Sequence, residues 1–408
     1  MRLVLILTAI FAATAARAAP MSFDAALAAA DRSAPSLEAR NADVQAARSS
    51  SVAAGRLPDP KLRLGLDNFP VSGPPAWRFG PDSMTMASVG LMQDVPNGAK
   101  RQAARQRAAA DIGAAEAAQR VEARTVRVAV ALAWIDLYYA ERRLAALDEI
   151  ERALAALRAT APSQLAAGAA RPAQTLEAER MTAALGDRRA ELAAAIGKAR
   201  AELARWTGDA EADVAGSPPG YSVDPVALRA GLDRSPSLRV YDAMERQADA
   251  DLAAAKAEKR PDWGLDVAYQ HRDPMWGEMV SAGVTVSLPI FSKSRQDPII
   301  AARALTAGRV RAEREAARRA LAASLDGDLA DHAMHHDRLM RSQQTLLPLA
   351  KRRADLETAS YAAGNADLSD VLEAALAYAE DSVEAIDREA DVRRDAVRIT
   401  LTYRSEEP

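Results

Sequence analysis

"AGNADLSDVLEA", residues 363–374, decides the fold of this chain, because a closely similar stretch precedes it by 196 positions. That stretch reads "AGAARPAQTLEA" at residues 167–178, and six of its twelve letters coincide in place. Each copy stands between two segments with helical patterning. A turn in this position is typical of the tip of a helical hairpin, and its recurrence predicts a duplicated chain.

Two kinds of residue in the repeated stretch explain why the turn exists twice. Gly168 and Gly364 can supply the left-handed residue that ends an incoming helix. Leu176 and Leu372 lie four residues inside the outgoing helix, where they are expected to pack back and fix its return. These four residues are our predicted hairpin-tip residues.

Other landmarks recur in the same order along the chain. "SVGLMQDVP" at residue 88 corresponds to "SAGVTVSLP" at residue 281, and "RLPD" at 56 corresponds to "KRPD" at 259. The offsets drift by only a few residues, which chance matches would not do. We therefore predict four sequence regions: a signal peptide (1–18), a first repeat (19–208), a linker (209–221) and a second repeat (222–408).

Composition favours long, closely packed helices. The chain is 49% hydrophobic but only 4% aromatic, and alanine makes up much of the difference. The net charge is -3 and residues of both charge signs are interspersed along the chain, so no basic surface for nucleic acid is expected. The aromatic group Trp134, Tyr138 and Tyr139 is expected to pack against the short N-terminal helix.

The N-terminal sequence predicts export. Arg2 precedes an apolar stretch, and Ala16-Arg17-Ala18 forms a signal-peptide cleavage pattern. No cysteine follows, which excludes a disulfide framework, a lipoprotein anchor and a thiolate metal site. No later apolar run approaches the roughly 20 residues of a membrane-spanning helix.

Each repeat is expected to contain an extended pair, and the period of two is clear in the second repeat but only partial in the first. "WGLDVAYQ" from residue 263 and "VSAGVTVSLPI" from residue 280 place apolar residues on one face and small or polar residues on the other. A soluble antiparallel sheet and a transmembrane β-barrel would both produce this alternation, which alone favours the soluble sheet. Four strands cannot close a barrel, so membrane strands would require a barrel shared between chains. The methionines near the strands are expected to face lipid or to pack in loops.

Helical patterning follows each strand pair. We predict a short helix over 23–55 and 225–259, a helix of some 60 residues over 99–161 and 294–362, and return helices over 172–207 and 368–403. A helix of that length would extend for about 90 Å.

In the order of its predicted helices and strands, and in the duplication of that order, the chain resembles the TolC-like outer-membrane factor (outer-membrane efflux protein) family. "VAVALAWIDLYYAERR" and "SAGVTVSLPIFSKSRQ" also carry the resemblance, and the branch serving heavy-metal cation efflux pumps is one alternative within it. It implies a mainly α fold with β: duplicated long helical hairpins form a periplasmic α-barrel, and four strands per chain join a shared transmembrane β-barrel. The resemblance therefore favours transmembrane strands over the soluble sheet that the alternation alone favours.

The resemblance also implies a function without enzymatic activity or cofactor. It predicts a passive homotrimeric duct in the outer membrane, with helices extending into the periplasm. Its partners would be outer-membrane lipid, a periplasmic adaptor (membrane fusion) protein and an inner-membrane efflux pump of the proton-driven resistance-nodulation-division type. The alternatives are a periplasmic coiled-coil adaptor or scaffold without a pore, and a duct for type I protein secretion.

Family members close their tunnel at the periplasmic tip with rings of acidic side chains and a tyrosine. The matching positions here are Asp370, Glu373 and Tyr361, our pore-gate candidates. Gln174 stands in the first repeat where Asp370 stands in the second, so an acidic ring is expected from the second repeat alone. The alternative is that Asp370 and Glu373 are solvated charges favoured by a helix N-terminus.

One further cluster has the spacing of a metal site. His332, His335 and His336 could share one face of a helix. His332 also lies on a heptad line of leucines, where a packed or partly solvated histidine is the ordinary interpretation. We therefore predict no metal site and keep these residues as weak candidates.

Overall fold

The computed structural model describes residues 20–159 and 172–404. The expected signal peptide and Gly168 lie outside the described residues. The first repeat contains α1 (Phe23–Ser33), α2 (Pro35–Ser51), β1 (Lys61–Asp67), β2 (Met86–Val95), α3 (Gly98–Arg158) and α4 (Pro172–Thr207). The second contains α5 (Pro225–Gly231), α6 (Pro236–Ala257), β3 (Trp263–His271), β4 (Met279–Val286), α7 (Ser292–Arg341), α8 (Leu347–Ala362) and α9 (Leu368–Tyr403).

The short helix at the start of each repeat is broken in two, where we predicted a single helix. Ala34 precedes Pro35 with an extended ψ of 116°, and Ser235 precedes Pro236 with a ψ of 137°. The proline ring crowds the preceding residue and disfavours its helical conformation. Each proline therefore starts a new helix instead of continuing the old one.

The long helices differ between the repeats. The first, α3, is continuous over 61 residues. In the second repeat the predicted helix over 294–362 is interrupted by a π-helical turn, Ser342–Leu346, between α7 and α8. Pro348 lacks the N–H that would continue the α-helical ladder, and the Leu347 N–H donates instead to the carbonyl of Ser342, five residues back.

The four strands form one antiparallel sheet in the order β1-β2-β3-β4. The central pair joins the two repeats, from Ala87 opposite His271 to Val95 opposite Trp263. The positions of β3 and β4 match the segments that the period of two predicts.

The chain divides into two compact units, and each contains residues from both repeats. The helical unit comprises the described residues of 1–38, 122–232 and 321–408, and the sheet unit comprises 39–121 and 233–320. This spatial division cuts across the sequence repeats, whose boundaries stay a prediction. Within the described residues, none of the helices is long and apolar enough to cross a membrane.

The core of the helical unit is built around the predicted aromatic group. Trp134 is fully buried, and its ring meets the Phe23 ring of α1 edge to face at 5.6 Å. Its indole Nε1–H donates to the Met21 carbonyl at 2.9 Å. Tyr138 stacks on Trp134 at 5.4 Å. The prediction that this group packs against the N-terminal helix is confirmed.

Candidate functional site

The second hairpin tip, residues 359–374, comprises the end of α8, the turn at residues 363–367 and the start of α9. Gly364 has a φ of +77°, and its N–H donates to the Tyr361 carbonyl at 2.9 Å. The Asn365 N–H donates to the Ser360 carbonyl at 2.9 Å. These two bonds form a Schellman closure of α8, with Gly364 in the left-handed position that its sequence predicts. A Cβ at Gly364 would meet nothing within 4 Å, so conformation, and not space, favours glycine here.

The gate candidate Asp370 lies in the first turn of α9. Asp367 is the N-cap residue of that helix, with an extended ψ of 155°. The Asp367 N–H donates to the carboxylate Oδ2 of Asp370 at 3.2 Å. Both side chains are exposed. Asp370 therefore helps to start the helix while its remaining carboxylate surface stays open to solvent or to a pore.

The second acidic candidate, Glu373, reaches back across the hairpin. Its carboxylate lies 3.3 Å from the guanidinium of Arg353 on α8. The two side chains are 72% and 58% exposed, so the pair contributes little stability and is screened by salt. Its charge is therefore available to a pore, although Arg353 offsets part of it.

The buried side of the tip is apolar. Leu372 is 1% exposed and belongs to a cluster with Leu368 of α9, Leu147 of α3, and Met181 and Leu185 of α4. The predicted packing of Leu372 is thus present, and it connects the second hairpin to the first.

Tyr361 contacts the same cluster from α8. Its hydroxyl oxygen is buried and has no hydrogen-bond partner among the described residues. A buried hydroxyl without a partner costs free energy, on the order of 1–3 kcal/mol. Tyr361 is thus held at the tip by ring packing, with its hydrogen-bonding capacity unused.

The corresponding leucine of the first repeat is exposed among the residues that the structure describes. Leu176 is 65% exposed, where we predicted the same packing as for Leu372. The two leucines are equivalent in sequence but differ in burial among the described residues.

The sheet carries an exposed apolar face. The register places Leu64, Val89, Tyr269 and Val280 in one row across all four strands. These side chains are 70%, 50%, 48% and 71% exposed, respectively. The next row, Leu62, Leu91, Val267 and Ala282, lies on the same face. An exposed apolar surface that extends over four strands calls for an apolar environment or a partner.

The opposite face of the sheet is small and polar. A typical row is Arg63, Gly90, Ala268 and Ser281. Met86 and Met92 of β2 and Met279 of β4 also lie on this face, because they alternate with the apolar residues. These three methionines therefore do not share the exposed apolar face, and the expectation that they face lipid or pack in loops stays a prediction.

Part of the sequence matches a known protein family. Residues 227–402 match the family model described as outer membrane efflux protein, a range that runs from α5 into the last turn of α9. The match covers 176 of the 408 residues and lies within the second predicted repeat. A comparison with curated proteins gives no match.

Solved outer-membrane efflux channels share the fold over nearly the whole chain. A structure of CusC, described in terms of folding and transmembrane channel formation, has a TM-score of 0.78 at 15% identity, covering 93% of this chain and 91% of that chain. The Campylobacter jejuni CmeC outer membrane channel has a TM-score of 0.77 at 12% identity, covering 95% and 87%. The Vibrio cholerae outer membrane protein VceC has 0.75 at 17% identity, covering 94% and 96%.

The predicted family resemblance and the predicted fold class are confirmed by these comparisons. The predictions of an outer-membrane efflux function and of an outer-membrane location are confirmed by the family. A protein of this family works with an adaptor and an inner-membrane pump. The matched family model is described as an efflux protein, and the similar solved structures are described as channels.

Two local features of this chain were not predicted from the sequence. Arg353 pairs with Glu373 from 20 residues away, and neither patterning nor spacing signals that contact. Asp367 could have been found, because an aspartate three residues before another acid at a helix start is a capping signal.

A third feature is a groove of the helical unit with a volume of about 590 Å³. Its apolar lining comes from Leu147, Leu185, Leu376 and Val383. Acidic side chains of α4 and α9 line it as well, among them Glu191, Glu380 and Glu384. The groove brings together residues from three helices, so no local stretch of sequence reveals it.

The predicted histidine cluster is divided by the fold. The Nδ1 of His335 lies 2.7 Å from Oδ2 of Asp395 on α9, whereas His332 and His336 line a separate cavity. Among the described residues, no group of three or more histidine, aspartate or glutamate side chains could hold a metal ion.

Proposed function

We propose that this chain is the outer-membrane channel of a tripartite efflux system and acts as a passive homotrimeric duct. The observation that carries the proposal is the exposed apolar face of the sheet, opposite a face of small and polar residues. That arrangement suits strands with lipid on one side and water on the other. In this duct the long helices extend into the periplasm.

The free edges of the sheet support a trimer. Among the described strands, β1 and β4 each have one neighbour, so one edge of each strand is unpaired. Unpaired backbone groups are costly in lipid, and a sheet of four strands is too small to close on itself. Pairing β4 of one copy with β1 of the next would satisfy both edges, and three copies would close a twelve-stranded barrel.

The second hairpin tip is the proposed gate. Asp370 and Glu373 are exposed on the first turns of α9, and three copies would place six carboxylates around the tip of the duct. Such a ring concentrates cations and repels anions. Tyr361, anchored in the leucine-rich cluster, would hold α8 in the closed position.

The proposed partners of the duct are an inner-membrane pump and a periplasmic adaptor. An inner-membrane pump of the proton-driven resistance-nodulation-division type would supply the energy, and a periplasmic adaptor would connect it to the duct. The groove between α4 and α9, apolar with acidic side chains, suits a helix of the adaptor that carries apolar and basic residues.

Expression of the full chain followed by membrane fractionation tests the proposal. We expect the mature protein in the outer-membrane fraction, resistant to high-salt extraction, as a trimer in native mass spectrometry from detergent. The trimer should conduct in planar lipid bilayers. A monomer released by high salt, without conductance, would instead indicate a periplasmic adaptor or scaffold.

A further inference from the structure

A network of polar contacts, here called the α7–α9 seam, joins α7 to α9 in the helical unit. Its members are Asp328 and His335 of α7 and Asp395, Arg398 and Tyr403 of α9. The Tyr403 hydroxyl donates to the Asp328 carboxylate at 2.7 Å, and burial raises the pKa of Tyr403, so the hydroxyl keeps its proton. The Arg398 guanidinium lies 3.1 Å from Asp328 and 3.3 Å from Asp395. His335 completes the seam against Asp395, whose side chain is only 9% exposed. The two aspartates are therefore already compensated by positive or hydrogen-bonding partners.

His332 lies on the same stripe of α7 without such a partner. It follows Asp328 by one helical turn and precedes His336 by another. Its Nδ1 is buried and has no hydrogen-bond partner among the described residues. Burial lowers the pKa of His332 below its ordinary value, Asp395 raises it, and the neighbouring His336 and His335 lower it further. His332 is thus uncharged at neutral pH.

A cavity of about 320 Å³ lies beside His332. His332, His336 and Gln343 line it from the α7 side, and Glu389 and Arg393 line it from α9. Gln343 belongs to the π-helical turn, where the ladder of hydrogen bonds is already widened. Turns of this kind are weak points at which a helix can change its geometry.

The charged groups around His332 decide how it responds to acid. Asp395, His335 and His336 act on it electrostatically, and Glu389, Arg393 and Tyr221 line the same cavity. Asp328 lies one helical turn before it on α7 and pairs with Arg398 of α9. The carboxylate of Glu389 is itself held by the Tyr139 hydroxyl at 3.1 Å and by Arg142 at 2.9 Å. A proton on His332 would therefore add a positive charge where the nearby negative charges already have partners.

We propose that the histidine cluster of α7 is an acid-sensitive release point, at which protonation of His332 loosens the α7–α9 seam beside the π-helical turn. Loosening there would free α8, and with it Tyr361 and the second hairpin tip, to move against α9. This inference rests on the proposed duct, and it makes the gate of the duct sensitive to pH. Acid in the periplasm would then favour the open tip.

The direction of the pH effect on stability follows from the difference in proton binding between the folded and unfolded chains. His332 binds a proton less readily in the folded chain than in an unfolded chain, whose histidine titrates near about pH 6.5. Above that pH both states are neutral at this position and the effect on stability vanishes. As the pH falls through the window below it, the unfolded state gains the proton first, so the seam loses stability.

Hydrogen exchange of the full-length protein in detergent tests the release point without requiring conduction. After correction for the intrinsic effect of pH, we expect residues 324–346 and 392–403 to exchange up to about tenfold faster near pH 5.5 than near pH 7.5. His332→Leu and His332→Gln should both abolish the acceleration. The control His271→Gln, in the sheet unit, should retain it. An acceleration that persists in both His332 variants would overturn the proposal.

Conductance in planar bilayers separates this inference from the proposed function. Wild-type channels should open more often when the side carrying the helical tips is acidified, and His332→Gln channels should not. Channels that conduct but respond to acid identically in both proteins would overturn the release point and leave the duct intact. A wild-type protein that conducts at neither pH would overturn the duct itself.

Discussion

The carboxylate of Asp370 accepts a hydrogen bond at 3.2 Å from the backbone N–H of Asp367, the residue that caps α9. One side chain therefore combines two properties, a structural hydrogen bond and an exposed negative charge. A helix-start role and a gate role are usually offered as alternatives for such an acid. This geometry makes them separable, because an asparagine can keep the accepting oxygen while it removes the charge.

Replacement of Asp370 should separate the two roles. Asp370→Ala should destabilise the start of α9 by about 1 kcal/mol, the typical cost of losing a capping hydrogen bond, whereas Asp370→Asn should cost much less. Both should lower cation selectivity if the charge faces the pore. Hydrogen exchange of residues 365–375 measures the first effect, and the reversal potential of single channels under a salt gradient measures the second. Unchanged selectivity in Asp370→Asn would leave Asp370 as a helix-start residue only.

Matched leucine truncations should report the unequal burial of the two tips. Leu372→Ala removes a side chain that is 1% exposed and should destabilise the helical unit by about 2–5 kcal/mol. Leu176→Ala removes one that is 65% exposed and should change stability by less than about 0.5 kcal/mol. Thermal unfolding in detergent, followed by circular dichroism, compares the two. Equal costs would mean that another chain covers Leu176 in the assembled protein.

These leucines also show how far sequence predicts this molecule. Periodicity and duplication predicted the order of the elements, since both depend on local patterns of apolar residues. The turn chemistry at Gly364 was predictable for the same reason, because a left-handed residue is a local requirement. Burial of Leu372 and exposure of Leu176 were not distinguishable, because they depend on which helix packs beside each tip.

Contacts between distant segments account for the other differences. Arg353 meets Glu373 only because α8 and α9 run side by side, and His335 meets Asp395 only because α7 packs on α9. The π-helical turn before Pro348 had a local cause, yet the patterning on both sides of it is helical and conceals it. The candidate site was thus predictable as a set of residues, but not as a set of contacts.

Substitutions of two glycines should have opposite effects on the helical unit. Gly364→Ala forces an alanine into a φ of +77° and should cost about 1 kcal/mol. Gly186→Ala fills open space in the interior of α4 and should stabilise by about 0.5–1 kcal/mol, because glycine is a poor helix former. Hydrogen exchange around each site measures the difference. Stabilisation by Gly364→Ala would show that the tip does not keep this turn in the assembled protein.

Two neighbouring residues of β4 test what the exposed face of the sheet contacts. Val284 is 63% exposed on the apolar face, and Thr285 lies on the opposite face, across from Gly264. In a membrane, Val284→Arg would place a charge in hydrocarbon at a cost of roughly 2–4 kcal/mol near the bilayer centre, while Thr285→Arg would place it in the aqueous interior. We expect Val284→Arg to reduce the amount of trimer in the outer-membrane fraction severalfold, and Thr285→Arg to leave that amount near wild type and to lower cation conductance. Because the two positions share one strand and the same edge, a loss caused by broken strand pairing would affect both variants alike. Normal assembly of Val284→Arg would mean that the apolar face meets water or protein, and the membrane assignment of the strands would then be wrong.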